Sequence, residues 1–339
     1  MLVLGIETSC DETAAAVVQD GRRIRANVIA SQVELHARWG GVVPELAARK
    51  HLEAILPVLG QVLDDASVKP KDIDLIAVTS GPGLAGALLV GVNAARALSY
   101  AWDIPLVGIN HLEAHVYANW LDDATADDGL PPLPAVCLIV SGAHSDLALM
   151  DRDGAFSRLG RTLDDAAGEA FDKVARLLGL GFPGGPAIER AARNAADRES
   201  LDLPRAWLEG SDDFSFSGLK TEMLKQARSA ELSESRVADL ARAFQDSVAD
   251  VLSAKAAHAA RRVGARSMLL AGGVAANGRL RELLAQRSPA GLRVPPISLC
   301  TDNAAMVAAA AYYRWQAGDR STLALEIDPG LPLGSRPAA

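Results

Sequence analysis

Two histidines four residues apart, in His111-Leu112-Glu113-Ala114-His115, are the residues whose spacing most directly suggests chemistry. On a helix, i and i+4 share a face, so both imidazoles could grip a single metal ion. In a zinc protease the helical acid directly follows the first histidine, where it polarises the metal's water. Glu113 stands at i+2 instead, about 200° round the helix from His111, so it points away. The pattern therefore predicts a metal ligand pair without the protease base. As ordinary structure it would be a helix with two partly exposed histidines.

Asp302, in Cys300-Thr301-Asp302-Asn303, precedes an Ala-rich helical stretch at what reads as a strand-to-helix junction. Its commonplace role is an N-cap. Its chemical role would be the carboxylate completing a two-His, one-Asp site, a donor set that suits zinc or ferrous iron and leaves positions open for phosphate oxygens or water. Four loops carry glycine or small polar residues where strands end: Glu7–Thr13, Ser141–Ser145, Phe182–Pro186 and Ala271–Gly273. Glycine lets backbone amides approach a phosphate, and hydroxyls add donors. Each loop alone merely turns the chain. Four of them are better explained by one bound nucleotide, although neither a Walker lysine motif nor GxGxxG is present.

The elements that must position these residues follow from the apolar pattern. The first forty residues read strand, polar loop, strand, Asp20-Gly21 turn, strand. The pattern returns 133 residues later: Ile6 aligns with Ile139, Thr8 with Ser141 and Gly21 with Gly154, next to Asp153, without a gap. Two homologous lobes facing each other across a cleft are expected. Helix is expected from Val33 to Val62 after a Gly40-Gly41 break, and strand from Ile73 to Thr79. A further helix should span Leu84–Tyr100, then a strand Leu106–Ile109 should lead into the histidine-bearing helix. Helical pattern dominates from Asp164 to His258, and Ser267–Leu270 reads as a strand. The expected domains are an N-terminal lobe 1–110, a C-terminal lobe 111–330 with a helical insertion, and a frayed tail 331–339. The polar, proline-rich stretch 122–134 is the expected linker or surface loop.

Bulk properties bound the function. At 339 residues, 49% hydrophobic and 22% charged, the chain has the composition of a globular protein of two ordinary domains. Cys10, Cys137 and Cys300 are far apart and odd in number, so neither a disulfide framework nor a thiolate zinc site is expected. Met1–Glu7 lacks a basic region and reads as a first strand, and the apolar run 304–313 is too short to span a membrane. A cytoplasmic location without membrane partners is the expectation. A net charge of −8 argues against nucleic-acid binding by bulk electrostatics. Local basic clusters, Arg22-Arg23-Arg25, Arg49-Lys50 and Arg261-Arg262, read first as solvated faces.

The motifs together resemble the catalytic-subunit family of tRNA N6-adenosine threonylcarbamoyltransferase, once labelled an O-sialoglycoprotein endopeptidase. The resemblance runs from Gly5–Thr13 through Gly40–Glu45, Ser80–Gly83, Asn110–His115, Asp164–Lys173, Pro183–Pro186, Phe214–Thr221 and Ala271–Asn277 to Thr301–Met306. It implies an α/β, actin-like, sugar-kinase-like ATPase fold of two duplicated RNase H-like lobes. It implies that His111, His115 and Asp302 bind one divalent metal ion, with Fe2+ the first choice and Zn2+ the second. Ile139, Val140, Ser141, Gly142 and Ala143, with Asp172, Gly185 and Asn277, would hold threonylcarbamoyl-AMP, Asp172 taking ribose hydroxyls. The acyl group would pass to N6 of the adenosine 3′ of the anticodon, position 37, in tRNAs reading codons that begin with A, releasing AMP. Glu12, at the end of the first loop, is the candidate for activating the amine. Implied partners are tRNA, an inactive paralogue (TsaB-type) docking on an apolar helical surface of the N-terminal lobe, and a small ATPase (TsaE-type). The family's Ser-Gly-Gly-His-Thr stands here as Ser141-Gly142-Ala143-His144-Ser145, which bears on any requirement for positive φ at 143, and Trp39 replaces a more usual Tyr. Two rival readings remain: a metal-dependent peptidase, against which Glu113 counts, and a non-catalytic nucleotide-binding regulator, against which the metal triad counts.

Overall fold

The structure, a computed structural model, describes residues 1–121, 129–152, 155–196, 201 and 203–336. Most of the expected linker, the Asp153-Gly154 turn and the last three residues lie outside the described residues. Two compact units divide the chain. The first comprises Met1–Pro131, Asp151–Ser157 and Pro295–Ala339, and the second Pro132–Met150 and Arg158–Val294. The break thus falls after Pro131, not after 110, and the chain's end returns to the first unit.

In the first unit, β1 (Leu2–Glu7), β2 (Glu12–Gln19) and β3 (Arg23–Ser31) form an antiparallel meander, turned at Asp20 and Gly21. Both turn residues have positive φ, 53° and 68°, as the tight turn that matches strand twist requires. Helices α1 (Val33–Ala37) and α2 (Pro44–Ala66) flank the Gly40-Gly41 break. Next come β4 (Leu75–Gly81), α3 (Ala85–Trp102), β5 (Leu106–Asn110) and α4 (His111–Tyr117). The sheet order is β3-β2-β1-β4-β5, with β4 parallel to both neighbours. Leu4, Ile6, Ile76 and Val78 from its centre meet Ile55, Leu59 and Val62 of α2 in one apolar core. Truncating a fully buried member such as Ile6 to Ala would cost about 2–5 kcal/mol.

The second unit repeats the plan. Its strands are β6 (Ala135–Val140), β7 (Ser145–Arg152), β8 (Ala155–Arg161), β9 (Ser267–Ala271) and β10 (Gly291–Arg293), ordered β10-β9-β6-β7-β8. The bounds of β6 and β7 are those of β1 and β2 shifted by the 133-residue repeat. Pairing differs slightly: Glu7 pairs with Ala14 but Val140 pairs with Ser145, so the second hairpin loop is two residues tighter. Helices α5 (Ala167–Leu177), α6 (Gly184–Ala192), α7 (Ser217–Arg228), α8 (Glu234–Val263) and α9 (Gly278–Arg287) fill the helical stretch. Asp164 ties α7 down by accepting from Ser215 Oγ at 2.6 Å and Phe216 N at 2.8 Å.

The last helix, α10 (Ala304–Gln316), belongs to the first unit. Its run of small side chains, buried from Ala304 to Ala311, lies directly on β1. A Cβ at Gly5 would collide with the Ala304 carbonyl and lie 2.9 Å from Ala308 N, so only glycine allows this approach. The expected frayed tail is pinned up to residue 336. Leu331 is buried, Asn110 Nδ2 donates to Pro332 O at 2.9 Å, and Arg336 Nε pairs with Asp319 at 3.0 Å.

Candidate metal centre and nucleotide loops

Helix α4 begins at His111 because Asn110 caps it, its side chain accepting from Leu112 N and Glu113 N. The cap fixes the first turn, and one turn later His115 shares the face of His111. Their rings meet edge to face at 4.6 Å between centroids. Both histidines are buried, contrary to the exposed pair of the ordinary reading. Asp302 reaches them from the residues ahead of α10. Asp302 Oδ1 lies 3.1 Å from His115 Nε2 and 3.6 Å from His111 Nε2. Asp302 does not cap α10: Asn303 does, accepting from Met306 N at 3.0 Å, and a short 3₁₀ turn (Ile297–Leu299), not a strand, precedes it. The Asp302 carboxylate faces the histidines instead.

These three donors lie within 4.8 Å of one another. Bonds near 2.1 Å to one ion place neighbouring donors about 3–3.5 Å apart, so the set fits a single divalent cation. The electrostatics agree. Burial lowers the His111 pKa, but the Asp302 and Glu7 carboxylates outweigh it and lift the group to about 9. The pocket favours positive charge. Glu7 is fully buried behind His111, its Oε2 3.1 Å from His111 Nδ1. Burial would raise Glu7, yet the His111 ring and its hydrogen bonds hold it below the ordinary carboxylate value.

Glu113 points elsewhere, as its angular position predicts. Its carboxylate pairs with Arg314 at 3.2 Å and accepts from Gly334 N at 3.2 Å. Burial pushes it up to about 7 against the pull of Arg314. Glu12 stands at the start of β2, accepting from Ser31 Oγ at 3.0 Å. Burial first, then the Asp302 and Asp11 carboxylates, raise it to about 9. The rest of the first loop is engaged internally. Thr8 Oγ1 donates to Ala87 O at 2.9 Å, and Thr13 Oγ1 lies 2.8 Å from His51 Nδ1.

In the second unit, the expected ligand residues gather around the end of β6. Ile139 and Val140 are wholly buried strand residues, so only backbone there could face a ligand. Ser141 O accepts from Gly168 N at 3.1 Å, which docks the start of α5 on this loop. Asp172 on α5 accepts from Gly184 N at 2.7 Å, fixing the start of α6. Gly272, at φ 89°, passes so close to Val140 that a Cβ would strike its carbonyl. Gly142 and Gly185 have open space where a side chain would stand. Asn277 caps α9 through Leu280 N and donates to Gln245 Oε1 at 2.8 Å. Ala143 is exposed and absent from the positive-φ residues, so its methyl imposes no strain.

Sequence reasoning missed Glu7 by assigning it to the polar loop, together with Ser9 and Thr79 around it. The available signal was an acid closing an otherwise apolar central strand. Gln245 beside Asn277 left no mark outside a helical pattern.

The fold and this donor set define a class: an actin-like α/β protein of duplicated lobes with a two-His, one-Asp cluster that could hold a cation. Solved structures agree on the fold. HypF from T. kodakarensis matches 93% of this chain and 48% of its own at 15% identity and TM-score 0.62. Component A of (R)-2-hydroxyglutaryl-CoA dehydratase from Acidaminococcus fermentans matches 94% and 99% at 16% identity and TM-score 0.54. The sequence profile of the tRNA N6-adenosine threonylcarbamoyltransferase family matches residues 23–309. Relatives of that name are 54% identical in Thermomicrobium roseum, covering 99% of this chain and 98% of theirs, and 56% identical in Symbiobacterium thermophilum, covering 98% and 97%. The chain belongs to the tRNA N6-adenosine threonylcarbamoyltransferase family.

Proposed function

We propose that this chain transfers the threonylcarbamoyl group of threonylcarbamoyl-AMP to N6 of adenosine 37 in tRNAs that read codons beginning with A. The observation that carries the reading, beside the full-length family match, is the His111–His115–Asp302 cluster. Three donors within 4.8 Å on two separate segments of the first unit are costly to assemble without a cation between them. In the transfer, the N6 nitrogen bonds to the carbamoyl carbon while the bond from that carbon to the phosphate oxygen breaks. AMP leaves, and the amine's extra proton passes to a base. A bound divalent ion, iron(II) before zinc, supplies Lewis-acid stabilisation of charge developing on the phosphate side. Glu12 is the proposed base. It must be ionised to act, and the repulsion from Asp302 eases once that carboxylate is shared with a cation.

Backbone of 140–143, Gly185 and Asn277, with Asp172 for ribose, would hold the adenylate. The open space beside Gly142 and Gly185 supports this. An inactive paralogue is the proposed docking partner. Leu52 and Leu56 on α2 and Tyr100 on α3 are 66%, 71% and 79% exposed, and the two leucines share a helix face. The small ATPase is proposed from the family resemblance alone. The decisive assay incubates the protein with unmodified tRNA and threonylcarbamoyl-AMP, with and without partners, and looks for the modified nucleoside by mass spectrometry. Its absence under every condition would refute the reading.

A further inference from the structure

We infer that Glu7 is the positioning residue of the metal centre: it fixes the tautomer of His111 and balances the charge of a divalent ion. This rests on the reading of His111, His115 and Asp302 as ligands. The imidazole of His111 has two faces. Nε2 is turned to Asp302, while Nδ1 lies 3.1 Å from Glu7 Oε2 and 3.2 Å from Ser9 Oγ. An ionised carboxylate only accepts hydrogen bonds, so Nδ1 carries the proton and Nε2 keeps its lone pair for the ion. Carboxylate-backed histidines are a recurrent device for holding ring and tautomer at once.

Glu7 cannot turn away from this task. Its Oε1 accepts from Ser9 N at 2.5 Å, and its Oε2 also accepts from the Thr79 hydroxyl at 2.6 Å. These bonds lock it between β1 and β4, fully buried. Among the described residues no lysine or arginine pairs with it; its sole ion-pair partner is His111. A lone buried carboxylate is expensive to keep. Two neutral imidazoles, two carboxylates and one dication sum to zero, so the charge of Glu7 makes sense only across the ring. His115 is the contrast. Its Nδ1 is buried without a hydrogen-bond partner, so nothing equivalent orients it. The two histidines are therefore unequal: only His111 is backed by a carboxylate.

The test is a cobalt(II) titration of metal-free full-length protein, followed by calorimetry and by the visible absorption of the bound ion. Glu7→Gln keeps the shape but can present an amide N–H to Nδ1, which favours the opposite tautomer and blocks Nε2. Affinity should fall about ten- to hundred-fold and the absorption bands should shift. The melting temperature of the metal-free variant is recorded alongside that of metal-free wild type, so that a change in affinity is separated from a change in folding. Glu7→Asp keeps the charge but withdraws the oxygen, and should weaken binding by a smaller factor. Unchanged cobalt affinity and spectrum in Glu7→Gln would overturn the role of Glu7 and leave the ligand assignment standing. So would a variant that loses metal-free stability but not affinity, which would mark Glu7 as a mere tie between strands. Should Glu7→Gln not fold, wild-type affinity in Glu7→Asp would overturn it equally. Wild type that takes up no cobalt would remove the ligand assignment and this inference together.

Discussion

At the scale of single residues, the neighbouring acids of the first unit have separate assignments. Asp302 faces the histidines, whereas Glu113, between them in sequence, faces Arg314. His115→Ala and Asp302→Asn should therefore each abolish bound metal, measured by elemental analysis, with the fold retained by circular dichroism. Glu113→Gln should keep wild-type metal content. It should lower stability in denaturant titration by less than the roughly 3–5 kcal/mol of a broken buried pair, because burial already holds Glu113 at about 7 and Arg314 keeps a second carboxylate. Asp319, 3.0 Å from Arg314 Nε, would soften that loss. Loss of metal in Glu113→Gln would contradict its placement. The angular position of Glu113 was legible from the helical period alone. The buried pairing with Arg314 was not, since it joins segments some two hundred positions apart by packing that leaves no local pattern.

At the scale of elements, the seating of α10 decides where Asp302 stands. Gly5→Ala would force the helix off β1, costing about 1–3 kcal/mol by overpacking. It should also weaken cobalt binding although residue 5 touches no ligand; an affinity equal to wild type would show that α10 can shift without moving Asp302. The contact between β2 and α2 offers a pH test. His51 is wholly buried, between Thr13 Oγ1 and Cys10 O at 3.0 Å. Burial holds its pKa below the ordinary 6.5. The unfolded chain thus binds this proton more readily, and the folded state loses stability as pH falls through 6.5 toward the lower folded value. His51→Gln should flatten the decline in melting temperature between pH 7.5 and 5.5, and an identical slope would remove His51 as its source. The sequence showed β1, β2, β4, α3 and the start of α10 within a few residues, because apolar runs and turn residues are local, but it left the helices of the second unit as one undivided stretch. It misplaced the unit boundary, because which sheet a late helix covers depends on surfaces that periodicity does not encode. It also misjudged the tail, since Leu331 and the backbone of Pro332 and Gly334 are held by contacts to residues far earlier in the chain.

At the scale of the whole molecule, the 133-residue repeat is the feature that sequence conveyed best, since a duplicated meander keeps its strand bounds even where side chains have diverged. The duplicated units carry different equipment: the His111–His115–Asp302 cluster in the first, and three of the four small-residue loops with Asp172 in the second. The net charge of −8 sets the expectation for RNA. Isolated protein should bind tRNA weakly, with a shallow dependence of log affinity on log salt, because few phosphates are neutralised. A steep slope in a filter-binding or anisotropy titration would show that a local basic face outweighs the overall charge.

The ligand geometry also bears on how the chain holds together. The first unit is left at Pro131, revisited over Asp151–Ser157 and re-entered for good at Pro295, and the contact of His115 with Asp302 spans 187 positions of sequence. An ion bound there, as proposed, would act as a rivet between helix α4 and the returning segment ahead of α10, much as a cross-link would. Chelation should then do more than silence chemistry. It should loosen the returned segment after Pro295, exposing it to limited proteolysis before the sheet of the first unit is cut, and restored ion should close it again.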